Sequence, residues 1–252
     1  MGGRFSVEKL IREKVRQGKK MLAVLIDPES FTSKEAIETA RRAEELGASL
    51  LLVGGSTVVE QSHLDHITRS IVRSVTVPVI LFPNNITGIT RFADAILFMS
   101  LINSSSHYFT YGAQALGARV IHKYKLEALP TAYIVVGEHS SASLVGYANP
   151  IPESKPELVA MYALASWYLG MRFLYLEAGS GSSRPLGPTV VETARKYYPG
   201  IIFAGGGIRK EVDASKVAAA GADVIVIGNL VEMPDFEPAL KAISESLKKI
   251  KS

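Results

Sequence analysis

The 252-residue sequence contains no cysteine, which excludes a disulfide scaffold and every form of thiolate chemistry. It has no apolar run of the roughly 18 residues needed to span a bilayer, and its first residues lack the apolar stretch of a secretory signal. A cytoplasmic protein is the expectation. Histidine is scarce, at five residues. His63 and His66 fall three apart on a predicted helix without the carboxylate pattern of a zinc site, so a solvated helix face accounts for them. His107 and His122 are isolated, and His139 alone lies in a loop where a ligand role is open to it. Clustered basic residues interleaved with aromatics are also missing, so the formal charge of +4 suits anionic small molecules and argues against nucleic acid.

What is present is a large apolar fraction, 47%, arranged in order. Short β-branched runs alternate with amphipathic segments: "MLAVLID" (21–27), "SLLLVGG" (49–55), "VPVILFP" (77–83), "DAILFMS" (94–100), "TAYIVVG" (131–137), "RFLYLEAG" (172–179), "GIIFAGGG" (200–207) and "DVIVIGN" (223–229). Between the first two lies "SKEAIETARRAEELGA" (33–48), with Ala36, Ile37, Ala40, Ala43 and Leu46 at helical spacing before Gly47. Strands that are apolar throughout are buried on both faces and parallel. Eight of them with intervening helices give a single domain over 1–252, an α/β (β/α)8 TIM barrel. One interval departs from the pattern: "NNITGITRFA" (84–93) is too short for a crossover helix and two turns, so the helix after strand three is missing or replaced by extended chain. The long segment 138–156 after strand five carries apolar residues without helical period and reads as a lid or a substrate wall.

In such barrels the active face lies at the strand C-termini, with a phosphate site commonly after strands seven and eight. "GGG" at 205–207 and "GN" at 228–229 stand in those two places, and Gly179 to Ser182 adds a third loop after strand six. Glycines let backbone N–H groups converge on one phosphate. Across the mouth, strand one ends in Asp27 and strand two in Gly54, Gly55 and Ser56. A lone carboxylate beside a hydroxyl suits Mg²⁺ that borrows phosphate oxygens, while an Asp before a Pro equally forms a turn or cap. The segments "HYFTYGAQALGA" (107–118) and "MYALASWYLGM" (161–171) are rich in small residues. Either they frame a groove for a long apolar ligand, or they pack as ordinary helices.

"LIDP", "VGGS", "YLEAGSGS", "GGGIR" and "IGN" in this order, with "YANPIP" and "ALASWYLGMR", resemble the archaeal geranylgeranylglyceryl phosphate synthase family over nearly the whole chain. Bacterial heptaprenylglyceryl phosphate synthases share much of the pattern, and "FMSLINS" and "YGAQALGA" are more similar to the second archaeal group. The resemblance implies a Mg²⁺-dependent prenyl transfer in archaeal membrane phospholipid biosynthesis. The C3 hydroxyl of sn-glycerol 1-phosphate attacks C1 of geranylgeranyl diphosphate, or of a polyprenyl diphosphate of another length, and pyrophosphate leaves. Carried over by motif, Tyr175, Leu176, Glu177, Ala178, Gly179, Ser180, Gly181, Gly206, Gly207, Gly228 and Asn229 would hold the glycerol phosphate. Asp27 and Ser56 would bind Mg²⁺. The family also lacks a regular third helix, in keeping with 84–93, and the second group assembles, which implies a homo-oligomer, dimer or hexamer. The lipid product implies peripheral membrane contact.

The chemistry agrees with this assignment. The attacking alcohol must lose a proton, and Glu177 stands at a strand end beside the phosphate loops, as a general base should. A tail of about twenty carbons gains over ~10 kcal/mol on leaving water at ~0.8 kcal/mol per methylene, so a groove is required. Tyr108, Tyr111 and Gly112 are its candidate lining, the two tyrosines as a plug that sets chain length. Two other readings remain, an isomerase barrel and a non-enzymatic binding barrel. The first needs an acid/base pair across the mouth, but strand five ends in Gly137 and Glu138.

Overall fold

The strands of this chain have no polar face because both of their faces are covered. The computed structural model describes residues 6–55, 60–179, 181–182 and 184–250. It contains eight parallel strands: β1 (Met21–Ile26), β2 (Leu50–Val53), β3 (Val79–Leu81), β4 (Ala95–Leu101), β5 (Glu127–Val135), β6 (Phe173–Glu177), β7 (Ile201–Gly205) and β8 (Val224–Ile227). They pair in sequence order and close when β8 joins β1, with Met21 opposite Val224. Successive residues alternate between two cores, as the two-residue period of a strand demands. Met21, Ala23, Leu50, Leu52, Phe173, Tyr175 and Phe203 fill the barrel interior. Leu22, Val24, Leu51, Val53, Leu174, Leu176 and Ile202 face the outer helices.

Those helices are α2 (Ser33–Glu45), α3 (Gln61–Ser74), α4 (Ala113–Tyr124), α5 (Ser141–Val145), α6 (Pro156–Tyr168), α7 (Pro188–Tyr197), α8 (Glu211–Ala219) and α9 (Glu237–Lys248). Their ends follow local chemistry. Thr32 caps α2 in a reciprocal box: the Glu35 N–H donates to Thr32 Oγ1 (3.3 Å), and the Thr32 N–H donates to Glu35 Oε2 (2.8 Å). Pro156 opens α6, where its missing N–H costs nothing. After β3 there is only a 3₁₀ turn, Ile86–Gly88, in agreement with the short interval in the sequence.

Two elements were not legible beforehand. A further helix, α1 (Val7–Arg16), closes the bottom of the barrel, with Val7 and Ile11 fully buried in the interior core. Glu127 at the start of β5 anchors its first turn by accepting the N–H groups of Val7 (2.6 Å) and Glu8 (3.1 Å). The segment after β5 is an ordered wall that contains α5. It is strapped to the barrel by bridges between Ser104 and Ala148 and between Val136 and Ile151. Among the described residues, no helix is long and apolar enough to cross a membrane.

Candidate active site

The register places Glu177, the last residue of β6, beside Val135 and Gly205 at the strand C-termini. There it lines a cavity of mixed polar and apolar walls with Tyr175, Gly206, Gly207, Gly228 and Asn229. Gly206 is indispensable in this geometry: its φ is +90°, and a Cβ there would stand 2.6 Å from Glu177 Oε1. The Gly179 N–H donates to that same Oε1 (2.8 Å), and the Gly181 N–H donates to Asn229 Oδ1 (3.3 Å), tying the β6 loop to the β8 loop. Leu176 and Ala178 turn their side chains to the helix layer instead, so only their backbone can serve a ligand. Ser180 and Ser56 lie outside the described residues.

Among the described residues no cation pairs with Glu177. Burial pushes its carboxyl up to about 7, against the opposing pull of hydrogen bonds from the Gly179 N–H and the hydroxyls of Tyr133 and Tyr175. Such a group takes up a proton near neutrality, as a general base must. Tyr133 Oη stands 3.2 Å from Glu177 Oε2, and its ring stacks on Tyr175 with centroids 5.1 Å apart.

Asp27 follows β1 and lines the same cavity, with Glu232 facing it. Burial raises the proton affinity of Asp27, the Glu29 N–H donating to Oδ1 (3.0 Å) opposes this, and the charges of Glu232 and Glu29 raise it further. A Cβ on Gly55 would overlap the Asp27 carboxylate, so the glycine after β2 keeps space for it. Among the described residues no set of three or more His, Cys, Asp or Glu could enclose a metal. The donor set therefore fits a Mg²⁺ that takes most of its ligands from water and a bound diphosphate, not one caged by protein alone. His63 Nε2 donates to the Pro28 carbonyl (3.0 Å), and among the described residues His63 belongs to no metal cluster. Arg209, the residue closing "GGGIR", also lines the cavity and brings a cation to it; a charge directly after the glycine loop was the available signal.

A second cavity, mainly apolar, runs outward between β3, β4 and α4. Phe82, Ile89, Ile96, Phe98, Met99, Phe109 and Ile121 supply much of its wall. This corrects the expected lining. Tyr108, Tyr111 and Gly112 are not among its wall residues: Tyr111 is 65% exposed, and the Tyr108 hydroxyl is occupied by Asn85. They sit on a π-helical turn, Tyr108–Gly112, whose wider winding sends Phe109 inward, held by Gln114 Nε2 donating to the Phe109 carbonyl (3.2 Å). The small residues of α6 do not frame the groove either; Ala160 and Ala163 are buried where the helix packs on the barrel. From the segment 138–156, Ala142, Val145 and Gly146 complete the groove. The two cavities meet, sharing Gly55, Phe82, Tyr133 and Ala142.

The sequence model of the PcrB family matches residues 13–247. A geranylgeranylglyceryl phosphate synthase of Cenarchaeum symbiosum is 48% identical over 227 residues, 90% of this chain and 92% of that one. One of Pyrococcus abyssi is 44% identical over 244 residues, 97% and 94% of the two chains. The crystal structure of (S)-3-O-geranylgeranylglyceryl phosphate synthase from Thermoplasma acidophilum, in complex with its substrate sn-glycerol-1-phosphate, superposes with a TM-score of 0.94 at 36% identity, covering 98% of this chain and 100% of that chain.

Proposed function

The chain belongs to the PcrB family, and from that premise we propose that it is a prenyltransferase joining the C3 hydroxyl of sn-glycerol 1-phosphate to C1 of geranylgeranyl diphosphate, with release of pyrophosphate. The observation that carries this reading is the junction: a cavity rich in polar groups and an apolar groove lie side by side and share Gly55, Phe82, Tyr133 and Ala142 as wall residues. A reaction that joins a phosphate-bearing alcohol to a hydrocarbon needs that arrangement.

The groove takes the isoprenoid tail, and the loops after β6, β7 and β8 take the glycerol phosphate through backbone N–H groups and Asn229. Arg209 supplies charge to the same anion. Glu177 accepts the proton of the attacking hydroxyl, its raised proton affinity being suited to the task. Asp27 and Glu232 would hold Mg²⁺ together with the diphosphate, where the ion neutralises the leaving group's charge when bound. The exposed apolar side chains Met161, Tyr162, Tyr168 and Leu169 along and just beyond α6 support assembly of several copies.

The test is direct. Purified protein supplied with sn-glycerol 1-phosphate, geranylgeranyl diphosphate and Mg²⁺ releases pyrophosphate and forms the ether, and EDTA stops it. Absence of product with prenyl diphosphates of every length tried would overturn the reading.

A further inference from the structure

Where the two cavities meet, the shared walls are a glycine, an alanine and two aromatic rings. Phe82 follows β3, its N–H donating to the Val53 carbonyl (2.8 Å). Its ring meets Tyr133 edge-on, with centroids 5.9 Å apart at 67°, and Tyr175 at 5.3 Å and 58°. Phe82 and Tyr133 are 9% and 7% exposed, so the two rings are themselves largely shielded from water.

The following rests on the prenyl-transfer reading. The reacting carbon must lie at this junction, because its tail occupies the groove while its partner occupies the polar cavity. There the bond from C1 to the diphosphate oxygen breaks and its electron pair leaves with the diphosphate. Positive charge spreads over C1 and C3 of the allyl unit. The glycerol hydroxyl oxygen then bonds to C1, and its proton passes to Glu177. Among the four shared wall residues, the two rings are the groups able to stabilise that charge. We propose that the rings of Phe82 and Tyr133 stabilise the allylic cation, and that Tyr133 is a catalytic residue serving both halves of the reaction, through its ring to the cation and through its hydroxyl to Glu177.

Aromatic faces attract cations electrostatically, and the attraction strengthens where water is excluded. Ring fluorination drains the negative face with little change of shape, so it separates this role from space filling. Phe82 is replaced by phenylalanines carrying one, two and three ring fluorines, and single-turnover rates are measured. The rate falls with each fluorine, reaching about 30-fold for the trifluorinated ring, the equivalent of ~2 kcal/mol for a desolvated contact, while the KM values of both substrates hold within about two-fold. A rate independent of fluorination would overturn the cation role. Tyr133→Phe retains the ring and loses the hydroxyl, and the acid limb of its pH profile moves upward because Glu177 has lost a hydrogen bond to its charged form. An unmoved limb would remove the second half of the proposal. Wild-type protein without product overturns prenyl transfer itself, whereas active wild type with a flat fluorine series overturns only the ring assignment.

Discussion

Glu177 and Asp223 stand at opposite ends of the barrel, each 6% exposed, and their surroundings could hardly differ more. Asp223 precedes β8 at the bottom. Its Oδ2 accepts from Arg195 and from the Ile202 N–H (2.9 Å), and Lys20 Nζ lies 4.0 Å from Oδ1. Arg195 is itself fixed by the carbonyls of Gly221 (3.0 Å), Tyr198 (3.0 Å) and Gly200 (2.7 Å). Glu177, at the top, faces two tyrosine hydroxyls and one N–H, with no cation among these partners. A buried carboxylate paired with cations is a fastening, and one left with neutral donors keeps its proton available for exchange. The fold thus places stability at one end of the strands and reactivity at the other, as barrels of this architecture do.

The sharpest way to break that comparison is to remove each charge in turn. Glu177→Gln keeps the shape but cannot accept a proton; kcat is expected to fall about 10³-fold, within the range of general base catalysis, with the melting temperature unchanged or raised. Comparable turnover in the mutant would take the base role from Glu177. Asp223→Ala should do the opposite, costing about 3–5 kcal/mol in denaturant unfolding, because Lys20 is left buried without its counter-charge. Adding Lys20→Met to Asp223→Ala should return part of the loss, and the folded fraction of either variant should turn over normally. Loss of kcat per folded molecule would show that the bottom cluster reaches the chemistry.

The same contrast has a signature in pH. Because the folded-state proton affinity of Glu177 is raised from 4.5 to about 7, its contribution to stability is complete below about pH 4.5 and is lost as pH rises through 7. By pH 8 that loss amounts to about 3 kcal/mol for a shift of this size. Activity runs the other way, rising with pH through about 7 as the base ionises. Unfolding curves and kcat/KM at pH 6 and pH 8 should therefore move in opposite directions in the wild type. In Glu177→Gln this contribution to the stability change should vanish, and an unaltered pH slope would assign it to other groups.

The polar cradle and the apolar groove also differ in how far they could be read beforehand. The cradle was legible because its parts are local: "GGG" and "GN" follow strands seven and eight, and Glu177 ends strand six. All eight strands were recovered for a similar reason, since runs buried on both faces need no partner to be recognised. The groove was legible only in part: Ala113 and Gly117 of the small-residue segment 107–118 do line it, but the rest is assembled from β3, β4 and the segment after β5, and a π turn decides which aromatic points inward. In the helical spacing assumed for 107–118, Tyr108 and Tyr111 were as plausible as Phe109. For the small residues of 161–171 the second of the two open readings holds, a helix packed on the barrel and not a ligand wall. Tyr133 was within reach, since alternation along "TAYIVVG" places it among the inward-facing residues near a strand C-terminus.

The smallest expected effect tests whether every ion pair at the bottom is a fastening. Glu8 on α1 receives Arg172 through both oxygens, at 2.7 and 2.8 Å, and Arg12 through one (2.9 Å). The pair is bidentate, and the Arg172 hydrogen bond leads the causes that hold the Glu8 carboxyl below its usual range. The Arg172 side chain is nevertheless 41% exposed, so water and salt screen the attraction. Glu8→Ala should cost only about 0.5–1 kcal/mol, with kcat unaffected and the difference shrinking further in 1 M salt. The hydrophobic anchors Val7 and Ile11 remain, and they hold α1 against the barrel floor independently of charge. A loss approaching that of Asp223→Ala would mean that closing the floor depends on this pair, and that partial exposure is a poor guide to which charges at this end bear the stability.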